Sequence, residues 1–356
     1  MTMESTVKKS RLGLYLPIAG LLIIALGWSG LWLFGRQRVG QELDNFFARE
    51  AGIGRQWSCP DQSISGYPFR IEIRCKEPTF RTDPRSRDTI RGSLGALTIV
   101  ATTAGAFDMA HIIGEFEGPL VVSEEGFGKS TTTWKSARAS FRGHANRLER
   151  VSLEIESPAS TLEVNGETQF RTNAERLDLH VRSPEDSGQA GSYDIALGLV
   201  KAVVPALDAL AGDTAPVDLE LNARLLNLSS IDRRNWRQSL ENWHQNGGAM
   251  RVEQFKLMKG APRLEAKGDL KLDELRRVNG RLDASFVNAD TLLGRFGVGI
   301  GGGGGAAGIL GALLGGNRAQ NTPRPERVIR LPLVFDQGRV SVGPFRIPGI
   351  QLKPLF

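Results

Sequence analysis

The sequence predicts a mainly β (α+β) protein: an elongated, curved antiparallel sheet with a few helices, preceded by one N-terminal transmembrane helix. Three observations predict it. An uncharged apolar run opens the chain. After Gly54 the residues alternate apolar and polar with period two. Turn-forming residues then separate the alternating segments at short intervals.

The apolar run comes first. Leu12 to Phe34 carries no charge, and its 23 residues at ~1.5 Å each reach about 34 Å, enough for a hydrocarbon core of about 30 Å. Trp28 and Trp32 lie near one end, where interfacial aromatics belong. Lys8, Lys9 and Arg11 precede the run, and Arg36 and Arg38 follow it. This slight bias places the short tail in the cytoplasm and the bulk outside it, single-pass in a bacterial inner membrane. A cleaved signal peptide is the competing reading, since Ala25-Leu26-Gly27 has the small-x-small shape. That site would lie inside the apolar run, with more apolar residues following, which favours a retained anchor. The organisation is then 1–11 cytoplasmic tail, 12–34 anchor, 35–50 juxtamembrane helix and 51–356 periplasmic β-rich domain. In the juxtamembrane segment Leu43, Phe46, Phe47 and Glu50 follow helical spacing.

The strands come next. In Phe69-Arg70-Ile71-Glu72-Ile73-Arg74-Cys75 the apolar residues fall on one face and the charged residues on the other. The pattern recurs at 151–155, 177–181, 217–221 and 264–272. Further strands are expected near 94–101, 111–122, 134–142, 250–258, 280–287, 328–335 and 339–347, with Asp336-Gln337-Gly338 as a hairpin turn. Short connections favour antiparallel pairing.

Two helices are expected to interrupt the strands. Tyr193–Ala211 is apolar on nearly every side and contains Pro205, which should kink it. In Asp232–Gln245, Trp236, Leu240 and Trp243 share a face, and Gly247-Gly248 ends the segment. Both segments suit core packing. The sharper expectation is that they cap or gate an apolar groove, through Ile195, Leu199, Val203 and Leu207 on the first and Trp236, Leu240 and Trp243 on the second. The run Phe296–Gly316 has no charge and 11 glycines among 21 residues. It reads as a glycine-rich loop within 296–320, because glycine is a poor helix former.

Cys59 and Cys75 bracket a turn at Ser65-Gly66-Tyr67-Pro68. A hairpin there would bring the two within bonding reach, and an oxidising periplasm would close the pair. Two unpaired thiols are the alternative.

The chain holds little that reads as chemistry. Lys and Arg are scattered, and the net charge of +6 marks no nucleic-acid face. His111, His144, His180 and His244 stand far apart, outside any metal-ligand spacing. Gly128-Lys129-Ser130 resembles the end of a phosphate loop, but Ser123 stands where the partner glycine belongs. No cofactor, metal or catalytic residue is expected.

Several short motifs carry a family resemblance: Ser65-Gly66-Tyr67-Pro68-Phe69-Arg70 leading to Ile73-Arg74-Cys75, then Trp134-Lys135-Ser136-Ala137-Arg138-Ala139-Ser140, and Gly343-Pro344-Phe345 near the end. With one N-terminal anchor, this layout resembles the bacterial family called domain of unknown function 2125, over nearly the whole chain. More distantly, Gly248-Ala249-Met250-Arg251-Val252-Glu253, Gly268-Asp269-Leu270-Lys271-Leu272 and Leu331-Pro332-Leu333 make the last third similar to the tails of AsmA-like envelope proteins. That likeness implies an inner-membrane anchor, an elongated twisted sheet, and a place in outer-membrane maintenance or phospholipid movement. The expected function is therefore non-catalytic envelope lipid handling, with a phospholipid or other acyl-chain ligand. The alternative is an anchored scaffold for an envelope protein partner, and an unrecognised enzyme is a third reading.

Overall fold

The computed structural model describes residues 12–82, 89–102, 110–144, 147–184, 191–228, 236–289 and 328–356. The expected tail 1–11 and glycine-rich loop 296–320 lie outside them.

The anchor and the juxtamembrane segment form one helix, α1 (Leu12–Gly52). It is the one helix among the described residues that is long and apolar enough to cross a membrane. Tyr15, Leu21, Leu22, Ile23, Ile24 and Leu26 are more than half exposed, so this helix leaves a costly apolar surface uncovered by the rest of the chain.

Twenty strands then form one antiparallel sheet, and its pairing is a plain up-and-down meander. β1 (Arg55–Ser58) and β2 (Asp61–Ser65) run back along β4 (Thr79–Thr82) and β3 (Arg70–Lys76). β3 and β4 both pair with the long β5 (Ile90–Thr102), and β5 pairs with β6 (Ala110–Glu124). β6 pairs with β7 (Gly128–Thr133) and β8 (Ser136–His144). Those two pair with β10 (Ala159–Val164) and β9 (Arg147–Glu156), and these with β11 (Glu167–Asn173) and β12 (Arg176–Arg182). From β12 the order is simple: β13 (Tyr193–Ala202), β14 (Val217–Leu226), β15 (Ala249–Lys259), β16 (Arg263–Leu272), β17 (Val278–Val287), β18 (Val328–Asp336), β19 (Arg339–Val342) and β20 (Phe345–Gln351).

The split strands expose a crease across the N-terminal part of the sheet. It passes through Cys59-Pro60, Glu77-Pro78, Gly95, Gly118-Pro119, Trp134-Lys135, Ser157-Pro158 and Ala174-Glu175. Proline cannot donate to a ladder, so strands break there. Glu77 and Ser157 adopt positive φ, 48° and 50°. A Cβ on Gly95 would collide with the carbonyl of Gly118, so the backbones meet only because that residue is glycine. The crease keeps its hydrogen bonds: Glu77 N donates to Gly95 O (2.9 Å), Lys135 N to Glu156 O (2.9 Å) and Ser157 N to Glu175 O (2.8 Å). The Trp134 indole donates to Phe116 O at 2.8 Å. Cys59, on the crease, bonds to Cys75 of β3 as a disulfide, a cross-link of a size that contributes about 3 kcal/mol in the chain-entropy model.

The expected helix over Tyr193–Ala211 is corrected. Tyr193–Ala202 is strand β13, and only Pro205–Ala211 is helical, as α2. Alternation explains the difference: Tyr193, Ile195, Leu197 and Leu199 face one side, while Asp194, Ala196 and Gly198 face the other. Small residues on the second side hid the period of two. Pro205 does not kink a helix but starts one, at a position where no N–H is needed. Gly212, left-handed at φ 69°, ends it, its N–H donating to Asp208 O at 2.7 Å. The second expected helix appears as α3 (Trp236–Gln245). Its expected start at Asp232 lies outside the described residues.

The buried core sits at the C-terminal end of the sheet, in Val252, Leu270, Leu282, Ala284, Phe286 and Val342. The turn from β16 to β17 is closed by Asp273. Its carboxylate accepts from Leu275 N and Arg277 N, each at 2.9 Å, and pairs with the Arg277 guanidinium at 2.7 Å. Burial works to raise this carboxyl. The hydrogen bonds and charge of Arg277, with the Leu275 N–H, outweigh it and hold the carboxyl below its ordinary value. A depressed carboxyl stabilises the fold above its unfolded pKa of about 3.9 and loses that contribution as pH falls through the folded value. Asp273→Asn should therefore lower the urea midpoint at neutral pH. The gap to wild type should shrink once pH drops below about 3.9, and a gap constant with pH would refute this account.

Candidate functional site

The alternation that marks each strand has a larger consequence once the strands pair in register. Residues directly opposite in an antiparallel sheet share a face. Following one row across the sheet gives Ile73, Ile99, Gly114, Ala139, Leu153, Leu179, Leu197, Leu221, Phe255, Ala266, Ala284 and Leu331. Every member is apolar or glycine. The row from Ile71 through Phe141, Val181 and Ile195 to Leu333 has the same character, as does the row from Cys75 through Phe116, Leu177 and Leu199 to Ile329. The sheet thus has one unbroken apolar face.

Its opposite face is polar and laced with ion pairs. Arg74 bonds Glu72 (2.9 Å), Arg138 meets Glu115 (3.3 Å), Arg176 meets Asp178 (2.7 Å) and Arg251 meets Asp269 (3.0 Å). At exposed sites each pair contributes little, up to about 1 kcal/mol. Their use is to make the two faces unmistakably different.

The apolar face is filled unevenly. From β14 to β19 it holds the buried core residues. From β5 to β13 its large side chains, including Leu97, Ile99, Phe141, Leu153, Leu179, Ile195 and Leu197, are only half-buried. The seven neighbouring strands from β3 to β13 span about 29 Å at about 4.8 Å per step.

Three helices border this face. At its N-terminal edge α1 lies over it: a Cβ on Gly35 would contact Ile71 at 3.7 Å, and one on Gly40 would contact Ile64 at 3.6 Å. Val39, Leu43, Phe46 and Ile73 line a small cavity of about 290 Å³ there, and a cleft of about 780 Å³ beside it is lined by Phe47, Trp57, Phe80 and Val121. The β2–β3 turn docks higher on α1. The Trp28 indole donates to Pro68 O (2.8 Å), the Trp32 indole to Arg70 O (3.0 Å), and Tyr67 hydroxyl meets Ser29 hydroxyl at 2.8 Å. The apolar face therefore begins against the C-terminal continuation of the long apolar helix.

The other two helices close the ends of the middle strands. Trp243 of α3 is buried against Leu228 and Leu272, with Tyr193 and Leu225 beside it, and its indole donates to Leu226 O at 2.8 Å. α2 is tied down by the buried Lys259, whose ammonium bonds Asp208 and donates to Ala215 O at 2.7 Å.

The residues singled out in the sequence fall as follows. Ile195 and Leu199 lie half-buried on the apolar face, as strand residues. Leu207 is half-buried on α2, and Val203, 36% exposed, sits between strand and helix. Leu240 is half-buried beside the buried Trp243, and the Trp236 side chain lies outside the described residues. The groups are not one cluster: α2 and α3 stand at opposite ends of β13 and β14. Sequence reasoning missed the main lining, on β5, β6, β8, β9 and β12, although its signal was the same alternation. His180 lies on the polar face, lining a cleft with Arg182, Glu154 and Asp194, and no group of three potential metal ligands occurs among the described residues.

The sequence model of a family described as an uncharacterized protein conserved in bacteria (DUF2125) matches residues 32–351. No curated protein and no solved structure matches the chain.

Proposed function

The chain belongs to the uncharacterized bacterial family DUF2125, and from its long apolar helix and apolar sheet face we propose a membrane-anchored, non-catalytic envelope protein that handles lipid. The acyl chains lie along the half-buried face from β5 to β13. The anchor is in the inner membrane with its N-terminus cytoplasmic, and the sheet lies in the periplasm. The observation that carries the reading is the apolar row running unbroken from beneath α1 to the buried core. Half-buried leucine and isoleucine gain about 25 cal/mol for each Å² that an acyl chain removes from water. A protein core of this size would ordinarily fill such a face with its own side chains.

A photo-crosslinking amino acid placed at Leu179, on the apolar face, is expected to form phospholipid adducts in cells under illumination. The same group at the neighbouring His180, on the polar face, should not. Adducts at both positions or at neither would sink the assignment. A protein adduct at Leu179 would instead favour the anchored-scaffold reading, for which the outer edge of β20, unpaired among the described residues, offers a docking strand.

A further inference from the structure

The polar face holds an arrangement that register alone creates. Arg142, Arg150 and Arg182 are direct cross-strand neighbours on β8, β9 and β12. The row continues to Asp194, Arg224 and Arg251. Like charges directly opposite one another destabilise a sheet, so three successive arginines call for an explanation. Asp194 answers only part of it, bonding Arg224 at 2.6 Å and Arg182 at 3.4 Å. Arg142 and Arg150 are exposed and take part in no ion pair among the described residues. The carboxylates Glu115, Glu154 and Asp178 lie four residues further along their strands, so the carboxylate nearest the three arginines within the row is Asp194, opposite Arg182. Arg150 and Arg182 line a cleft of about 530 Å³ together with Arg224, Glu154, Asp194 and Glu253, while Arg142 lies outside its lining.

The row's position points to its partner. It lies at the strand ends that share a level with Arg70, the first residue of β3. Arg70 O accepts from Trp32, within the apolar part of α1, and the adjoining Phe69 is 70% exposed. The arginine row thus starts where the sheet meets the membrane-spanning helix.

We infer that Arg142, Arg150 and Arg182 form an electrostatic contact for the phosphate headgroups of anionic phospholipid at the membrane surface. The inference rests on the lipid-handling reading and adds the class of headgroup. Guanidinium groups suit phosphate by forked hydrogen bonding, and each basic residue near an anionic surface strengthens binding by roughly fivefold.

The test uses the full chain in neutral-lipid nanodiscs, floated with vesicles of phosphatidylcholine, alone or with phosphatidylglycerol. Wild type should bind the anionic vesicles and release them at high salt. The triple variant Arg142→Gln/Arg150→Gln/Arg182→Gln should bind roughly a hundredfold more weakly, with a urea midpoint close to that of wild type, since relief of like-charge repulsion offsets the lost Arg182–Asp194 pair. Equal binding by the two proteins, or equal binding to neutral vesicles, overturns the inference. Loss of vesicle binding upon adding millimolar inorganic phosphate at constant ionic strength would assign the site to free phosphate and overturn it too. Leu179 adducts without headgroup selectivity would leave the apolar-face reading standing while this one fails. Selectivity without adducts would do the reverse.

Discussion

Gly248→Ala is expected to cost about 3 kcal/mol of stability, the upper end of the usual penalty for overpacking. A Cβ on Gly248 would fall inside the van der Waals envelope of the Trp243 indole. The indole cannot step aside. It is buried, its N–H is committed to Leu226 O at 2.8 Å, and its own backbone O accepts from Gly248 N at 2.8 Å. The methyl must therefore displace α3, the helix that closes one end of the apolar face. Trp243→Ala should cost about 3–5 kcal/mol through the cavity it leaves. Adding Gly248→Ala to Trp243→Ala should then cost under about 1 kcal/mol, because the clash has gone. Urea unfolding of the four proteins in detergent micelles gives the cycle. Equal costs for Gly248→Ala in both backgrounds would mean that the indole is not what the glycine accommodates.

Leu179→Lys is expected to abolish lipid capture while leaving the sheet assembled. Leu179 lies between Leu153 and Leu197 in the same apolar row, within the half-buried stretch. An ammonium there forces any acyl chain to desolvate a charge, which costs several kcal/mol. Phospholipid adducts from a crosslinker at Leu153 or Leu197 should fall roughly tenfold or more. His180→Lys, one residue along and on the other face, should leave them unchanged. An intact Cys59–Cys75 disulfide and protease resistance separate this result from unfolding. Undiminished adducts in the Leu179→Lys variant would show that acyl chains do not lie on this row.

Much of the architecture could be read from residues alone, and the exceptions have physical causes. β3, β9, β12, β14 and β16 alternate cleanly, because one side meets apolar neighbours and the other meets water. β7 (Gly-Lys-Ser-Thr-Thr-Thr) and β11 (Glu-Thr-Gln-Phe-Arg-Thr-Asn) carry no such signal. They lie beyond the crease, where β11 is mostly exposed and β7 meets its neighbour through small polar side chains, as in the Thr132–Ser160 hydroxyl contact at 2.6 Å. β13 misled in the opposite way: Ala196 and Gly198 are small rather than polar, so a strand resembled an apolar helix. The hairpin at Tyr67–Pro68 and the disulfide followed from spacing. The continuous apolar face and the arginine row did not, since both exist only once register sets strands distant in sequence side by side. Arg142, Arg150 and Arg182 are ordinary surface residues in the chain and meaningful only as neighbours.

The sheet is a meander in which each run of strand pairs with the runs before and after it in sequence. That makes its width a quantity adjustable in steps. Removing one hairpin would leave every remaining register intact and shorten the apolar face by about 9.6 Å, two strand spacings. Inserting one would lengthen it by the same amount, with α1 still at one end and the buried β16–β18 core at the other. Such a chain behaves like a ruler of variable length with α1 as its fixed end, and the distance it reaches is set by the number of hairpins rather than by any single residue.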